Sequence, residues 1–297
     1  MSPTDAGAAI TPVLVTYNSA KILPWSLPAL AGFEQVIVVD NQSGDDTTAV
    51  ATALLPQTKV IRAGRNLGFG RANNLGLAAV TTPYALLLNP DSRLQPGAME
   101  ELHAAARRYP DAAILAPVLY DAPGVVGDFF RGPFPLPRSL QRVVPDGDLC
   151  VEFVTGAAML INIEAMRSIG YFDPWFFLYF EDDDLCLRVR QGGRQIIVAH
   201  AAALEHHTRQ SSPSSVRNTL RRFYCMTLSK FYLTRKHAGL GRCVRLVLRV
   251  GLGSLLLLPF QLLLPRRERT LRHLSRVAAA ALAWRHLGRK HCFEPMD

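Results

Sequence analysis

The chain has 297 residues, 49% hydrophobic and 19% charged, which is enough apolar material for a buried core and excludes a disordered polymer. Its net charge of +9 is concentrated at one end: residues 235–297 carry 13 Lys and Arg against 3 Asp and Glu, and the body before them is close to neutral. Long aliphatic runs rather than interleaved aromatics accompany that basic end, so an anionic membrane surface is the expected partner and nucleic acid is not.

Cys150, Cys186, Cys225, Cys243 and Cys292 are odd in number, far apart and never in a CxxC pair, so neither a disulfide framework nor a zinc site is expected. The N-terminus carries Asp5, with no basic n-region and no apolar stretch before Thr11. A secretory signal is therefore not expected, and a cytoplasmic location is.

Residues 12–18 read as a buried strand whose polar end, Thr16, Tyr17 and Asn18, opens toward a ligand. A helix is predicted over 21–30, its limits blurred by Pro24 and Pro28. The second strand, 35–39, ends in Asp40, Asn41 and Ser43. Asp45 or Asp46 caps a helix over 47–55, whereas Asp40, at the strand's end, is placed to accept hydrogen bonds from a base or ribose. After a short strand at 59–62 come Gly68 and Gly70, which let backbone amides approach an anion at a helix N-terminus. Arg65, Asn66, Arg71, Asn73 and Asn74 add polar donors around them, and the helix runs to about Val80.

The fourth strand, 85–88, is apolar and ends in Asn89, Pro90 and Asp91. Ligands of open α/β sheets lie beyond the carboxyl ends of the strands, so Asp91 is a candidate ligand for a divalent cation completed by phosphate oxygens; a turn acid after Pro90 is the alternative. Repeated strand–helix alternation predicts a parallel sheet. Neither the GxGxxG fingerprint nor the GxxxxGK[ST] loop is present.

A helix over 96–109 and a strand over 113–119 follow, and then 120–148, rich in Pro, Gly and Asp, reads as a long functional loop. A strand within 150–163 includes Gly156 and Ala157, small enough for a sugar to approach the backbone or for tight strand packing. An aromatic run from Tyr171 to Phe180 leads into Glu181, Asp182, Asp183 and Asp184. A solvated helix start accounts for the later acids but not for the aromatic wall before them. A strand over 196–204 precedes His206 and His207, and His206 is a candidate metal ligand.

These motifs together resemble the family 2 glycosyltransferases of the GT-A fold, most nearly a bacterial rhamnosyltransferase-like branch, over residues 11–212. The resemblance rests on Thr16-Tyr17-Asn18, Val39-Asp40-Asn41 with Ser43, Asn66-Gly68-Gly70-Asn73-Asn74, Leu88-Asn89-Pro90-Asp91, Thr155-Gly156-Ala157, Phe172-Asp173, Glu181-Asp182-Asp184-Leu185-Cys186-Arg188 and His206. It implies an α/β catalytic domain over 1–212, a Rossmann-like mixed, mainly parallel sheet flanked by helices, with a helical basic and apolar appendage over 213–297.

By the same resemblance, Thr16, Tyr17, Asn18, Asp40, Asn41 and Ser43 would hold the base and ribose of a nucleoside diphosphate sugar. Asn66, Gly68, Gly70, Asn73 and Asn74 would cover ribose and phosphate, and Asn89 would lie beside the donor. Asp91 and His206 would bind Mg²⁺ or Mn²⁺, with His207 the adjacent substitute for His206. Asp182 would be the general base, with Glu181, Asp184, Gly156, Ala157 and Asp173 orienting it or meeting the acceptor. Asn89 stands where the family has the first acid of its DxD motif, so the metal site carries one fewer negative charge. The implied reaction is inverting transfer of a sugar, with dTDP-L-rhamnose as the leading donor, onto a saccharide or polyprenyl-linked acceptor in cell-envelope polysaccharide synthesis. Asn89 motivates the alternative, a catalytically degenerate nucleotide-sugar-binding or scaffold protein. A sugar nucleotidyltransferase would need a basic activation loop near the N-terminus, which is absent.

In the basic end, 222–238 reads as helical, and Arg242, Arg245 and Arg249 fall on one helical face. The uncharged stretch 250–264 spans 15 residues, interrupted by Pro259. That is short of the ~20 apolar residues a spanning helix needs. A second amphipathic helix is predicted over 271–289. The pattern predicts a peripheral anchor on the inner face of the cell membrane, with arginines on head groups and leucines in the acyl boundary. A helical hairpin buried at a homodimer interface is the alternative.

Overall fold

The computed structural model describes residues 5–122, 125–126, 134, 145–207, 215–263 and 267–287. In chain order the elements are α1 (Asp5–Ala9), β1 (Ile10–Thr16), α2 (Leu23–Ser26) with a 3₁₀ turn at Leu27–Leu30, β2 (Val36–Asp40), α3 (Thr47–Leu54), β3 (Thr58–Arg62), α4 (Phe69–Leu77), β4 (Tyr84–Leu88), β5 (Ser92–Leu94), α5 (Ala98–Arg108), β6 (Ala112–Ala122), β7 (Val125–Val126), β8 (Leu149–Cys150), β9 (Ala158–Asn162), α6 (Ile163–Met166), α7 (Glu181–Gln191), β10 (Gln195–His206), α8 (Val216–Ala238), α9 (Leu240–Leu263) and α10 (Arg267–His286).

The strands form one mixed sheet in the order β3-β2-β1-β4-β9-β6-β10-β5, with β7 on β6 and β8 on β10. β3, β2, β1 and β4 run parallel, in a register that sets Thr16 beside Asp40 and Leu14 beside Leu88. β2 is buried at every residue, the near-continuous apolar pattern of a parallel strand covered on both faces. β4 is where the direction changes. It is parallel to β1 on one side and antiparallel to β9 on the other, with Leu88 opposite Ala158.

Several expected elements move. The first strand starts at Ile10 and ends at Thr16, leaving Asn18 in a turn at φ 52°. The single helix expected over 21–30 is two short pieces, each with a proline in its first turn, where the missing N–H costs nothing. The strand expected within 150–163 shrinks to Ala158–Asn162, so Gly156 and Ala157 sit in the turn that enters it. β10 extends through His206, and β5, too short to show a periodicity, pairs with its end. Most of the loop expected over 120–148 lies outside the described residues.

The chain divides into two compact units, and the second comprises the C-terminal helices together with Asp173–Glu181. α8, α9 and α10 share their own core through Leu228, Phe231, Cys243, Val247, Ala279, Ala280 and Ala283. Within this unit α8 grips the aromatic run. Asp173 Oδ2 accepts from Tyr232 Oη at 2.9 Å and Lys236 Nζ at 2.6 Å, Ser229 Oγ donates to the Leu178 carbonyl at 2.9 Å, and the Arg221 guanidinium lies 4.6 Å over the Phe177 ring. α9 is continuous through Pro259, so the arginine face and the apolar stretch belong to one helix.

In the first unit α4 lies against β1 and β2 so closely that a Cβ on Gly76 would sit 2.4 Å from Val13 Cγ1 and 3.0 Å from Val39 Cγ2. Overpacking of that kind costs about 1–3 kcal/mol. Gly76→Ala should lower unfolding stability by about that amount in urea titration. Gly147→Ala, where a Cβ meets nothing within 4 Å, should stay within about 0.5 kcal/mol of the parent.

Candidate active site

The carboxyl ends of the parallel strands converge on three loops tied together by side chains. Ser43 Oγ accepts from the Asn18 amide at 2.9 Å, and Asn18 Oδ1 accepts from the Gly44 amide at 2.7 Å. The left-handed backbone at Asn18 is thus fixed from both sides. Asp40 Oδ1 accepts from the Ser43 amide at 3.2 Å. Asn41 is buried and bridges to the next loop, its Nδ2 donating to Asn66 Oδ1 and the Gly68 carbonyl at 3.2 Å each and its Oδ1 accepting from the Leu67 amide at 2.7 Å. Asp45 braces the same corner. Partial burial opposes its ionisation, but hydrogen bonds from the Thr47 hydroxyl and from the Ala20 and Thr47 amides outweigh that and hold its carboxyl below the usual range.

Gly68, at φ 81°, ends this loop and opens α4, whose N-terminal amides make an anion-favouring edge. Two asparagines of that helix hold backbone. Asn73 Nδ2 donates to the Phe69 carbonyl at 3.0 Å, while Asn74 donates to the Phe172 carbonyl at 2.7 Å and accepts from the Phe172 amide at 3.0 Å.

At the end of β4, the Asn89 amide donates to the Ala157 carbonyl at 3.0 Å, and Ser92 Oγ donates to the same oxygen at 3.2 Å. Asp91 is buried between them, and His206 Nε2 lies 3.5 Å from its Oδ1. Among the described residues no group of three or more His, Cys, Asp or Glu gathers. One carboxylate oxygen and one imidazole nitrogen 3.5 Å apart leave a divalent ion such as Mn²⁺ most of its positions for phosphate oxygens and water.

Asp182 sits in the first turn of α7. Its Oδ1 accepts from the Asp183 amide at 2.9 Å and its Oδ2 from the Gly156 amide at 3.3 Å. A Cβ at Gly156 would meet the Phe69 ring at 3.0 Å, so the glycine also serves the close approach of that ring. Asp184 is fully buried and paired with Arg188, Nε to Oδ2 at 2.8 Å. The remaining guanidinium nitrogens donate to the carbonyls of Ile169 at 3.1 Å, Gly170 at 3.0 Å and Tyr171.

Residues 12–163, half the chain, match the family described as Glycosyl transferase family 2. The chain belongs to that family. It is 27% identical over 277 residues to the N-acetylglucosaminyl-diphospho-decaprenol L-rhamnosyltransferase of Mycobacterium tuberculosis, an alignment covering 81% of this chain and 89% of the relative. It is also similar to the low-salt glycan biosynthesis hexosyltransferase Agl10 of Haloferax volcanii, 25% identical over 60% of this chain and 61% of that one. Among solved structures, the mannosyltransferase PcManGT of Pyrobaculum calidifontis, in complex with GDP-Man and Mn²⁺, superposes with a TM-score of 0.57 at 14% identity, over 93% of this chain and 86% of that one. The fold is that of the GT-A glycosyltransferases.

In this glycosyltransferase the structure gathers Thr16, Asn18, Asp40, Asn41, Ser43, Asn66, Gly68, Asn89, Asp91, His206, Gly156, Ala157 and Asp182 along one edge of the sheet, with Tyr17 exposed there. Asp184, Asn73 and Asn74 instead brace the scaffold, and Asp173 and Glu181 fall in the second unit. Arg188 is the residue to which sequence reasoning gave no role, although its position four residues after Asp184 on one helix was the available signal. Removing it would strand a buried carboxylate, which costs about 3–5 kcal/mol. Arg188→Ala should therefore lower unfolding stability by about that much, with Arg188→Lys between it and the parent because an ammonium cannot span the same three carbonyls.

Proposed function

We propose that the chain is an inverting, divalent-metal-dependent hexosyltransferase. In this reading it passes a sugar, L-rhamnose from dTDP-L-rhamnose first among candidates, to a lipid-linked saccharide in cell-envelope polysaccharide synthesis. The observation that carries the reading is the Asp182 carboxylate, steered by the Gly156 amide, on the same sheet edge as the Asp91–His206 pair. The Mycobacterium tuberculosis relative, by its name an L-rhamnosyltransferase acting on N-acetylglucosaminyl-diphospho-decaprenol, supports the donor and acceptor classes.

In this reading the acceptor hydroxyl gives its proton to Asp182 as its oxygen attacks the anomeric carbon, and the bond from that carbon to the diphosphate breaks on the opposite face. No covalent link to the protein forms. Asp91 and His206 would hold the metal ion, which, when bound, neutralises charge developing on the diphosphate. The amides opening α4 add to that stabilisation, and the loops around Asn18, Asp40 and Asn41 hold the nucleoside. The test is turnover with dTDP-L-rhamnose and a polyprenyl-diphosphate-linked N-acetylglucosamine. Asp182→Asn should lower kcat by about 10²–10⁴-fold while donor binding persists, and EDTA should abolish turnover until Mg²⁺ or Mn²⁺ is restored. Donor binding without any nucleoside diphosphate release would favour the degenerate binder.

The reading includes a peripheral membrane location through α9. Leu240–Gln261 is long and apolar enough to cross a membrane, with a mean hydropathy of 1.8 and 17% of its window buried. Arg242, Arg245 and Arg249 stand exposed on its first half, an arrangement costly at a bilayer centre and favourable at anionic head groups. Leu252, Leu255, Leu256 and Phe260 are exposed on its second half. An interfacial helix follows. The full chain should sediment with phosphatidylglycerol vesicles and be released by carbonate, and Leu256→Glu with Phe260→Glu should abolish sedimentation. Retention after carbonate would instead mean a spanning helix.

A further inference from the structure

His206 ends β10 and His207 follows it, and the two occupy different settings. His206 turns its imidazole toward Asp91. His207 instead lays its ring against Trp25, centroids 4.0 Å apart and planes at 22°, and its backbone amide donates to the Asp91 carbonyl at 2.9 Å. The strand needs such an anchor there. β10 is paired with β6 only as far as Glu205, opposite Tyr120; beyond it, His206 has Ser92 of the three-residue β5 as its one cross-strand partner.

Trp25 is itself held. It rides on α2, whose Leu23 and Ser26 are buried in the body of the first unit. The Arg93 guanidinium lies 4.8 Å from the centre of its ring, and Arg93 Nη2 reaches Glu205 Oε2 at 2.6 Å. Glu205 and Arg93 are directly opposite in the β10–β5 pairing, so the stack and the ion pair secure the same three residues, Glu205 to His207, from one side.

We infer that Trp25 is a positioning residue of the metal site: by stacking on His207 it fixes the end of β10 so that His206 stays aimed at Asp91. The inference rests on the metal reading of Asp91 and His206 given above. It also assigns His207 to the scaffold rather than to the ligand set. Groups that orient a ligand without touching the ion typically change metal affinity by about 10–100-fold when removed.

The experiment is Mn²⁺ titration of the full chain, followed by the EPR signal of free Mn²⁺, alone and in the presence of dTDP or UDP. Trp25→Ala should weaken Mn²⁺ binding about tenfold or more, and Trp25→Phe, which keeps a stacking ring, should restore most of it. His207→Ala should resemble Trp25→Ala, and the double variant should be no worse than either single one, because the two rings act as a unit. Thermal unfolding of each apo variant separates loss of the site from loss of the fold. Should Trp25→Ala not fold, His207→Ala against Trp25→Phe carries the same comparison. Parent-like Mn²⁺ affinity in Trp25→Ala overturns the inference. So does abolition of binding by His207→Ala alone, which would make His207 a ligand. A parent chain that binds no Mn²⁺ in any of the three conditions overturns the metal reading beneath it.

Discussion

The two-sided pairing of β4 is the constraint on which the site depends. Parallel to β1 and antiparallel to β9, β4 forces the end of one half-sheet and the start of the other to the same edge. The register that sets Leu88 opposite Ala158 puts the Ala157 carbonyl where the Asn89 amide and the Ser92 hydroxyl both bond it. Gly156 is then one residue away, and its amide meets Asp182. A slip by one residue would turn every side chain of the slipped strand to the opposite face and separate Asp182 from the Asp91 edge.

The acids around this arrangement are compensated differently, whether buried, as Asp184 and Asp91 are, or exposed, as Asp45 is. Asp184 is neutralised by Arg188, whose other nitrogens satisfy three successive carbonyls, so the pair is fully hydrogen-bonded as a buried ion pair must be. Asp45 is held ionised by neighbouring hydroxyl and amide donors. Asp91 has the His206 imidazole beside it, Nε2 to Oδ1 at 3.5 Å. Local surroundings therefore separate the acids held by basic, hydroxyl and amide partners from the Asp91 carboxylate, whose neighbour is an imidazole.

The sequence made the strand ends legible because apolar runs that stop at Asp40 or at Asn89-Pro90-Asp91 have only one way to lie in a covered sheet. Asp91 and His206 each stand at a strand end, and they meet. What stayed hidden depends on partners far away in the chain. Nothing in the spacing of Asn73 and Asn74 separates a nucleotide ligand from a brace, yet Asn74 reaches across to Phe172. Asp173 lies close to the acidic cluster in sequence, but Tyr232 and Lys236 claim its carboxylate. Trp25 and Arg93 carry no motif, and their setting exists only because a three-residue strand pairs with the end of β10. In the basic end, composition marks out only the uncharged stretch 250–264, whereas helix formation follows hydrogen bonding along the backbone and runs through the arginine face and that stretch together.

Asn74 carries one more implication. Its carboxamide grips the Phe172 peptide from both directions, as a neighbouring strand would, so a helix that opens at the anion-favouring edge is spliced to the start of the aromatic run. The Phe69 ring, from the first turn of the same helix, meets the Phe172 ring edge-on at 5.9 Å and lies under Gly156. The first turns of α4 therefore act as a shared keystone: the helix that opens at the anion-favouring edge also packs beneath the glycine whose amide bonds Asp182, and neither contact can be re-aimed in evolution without re-cutting the other.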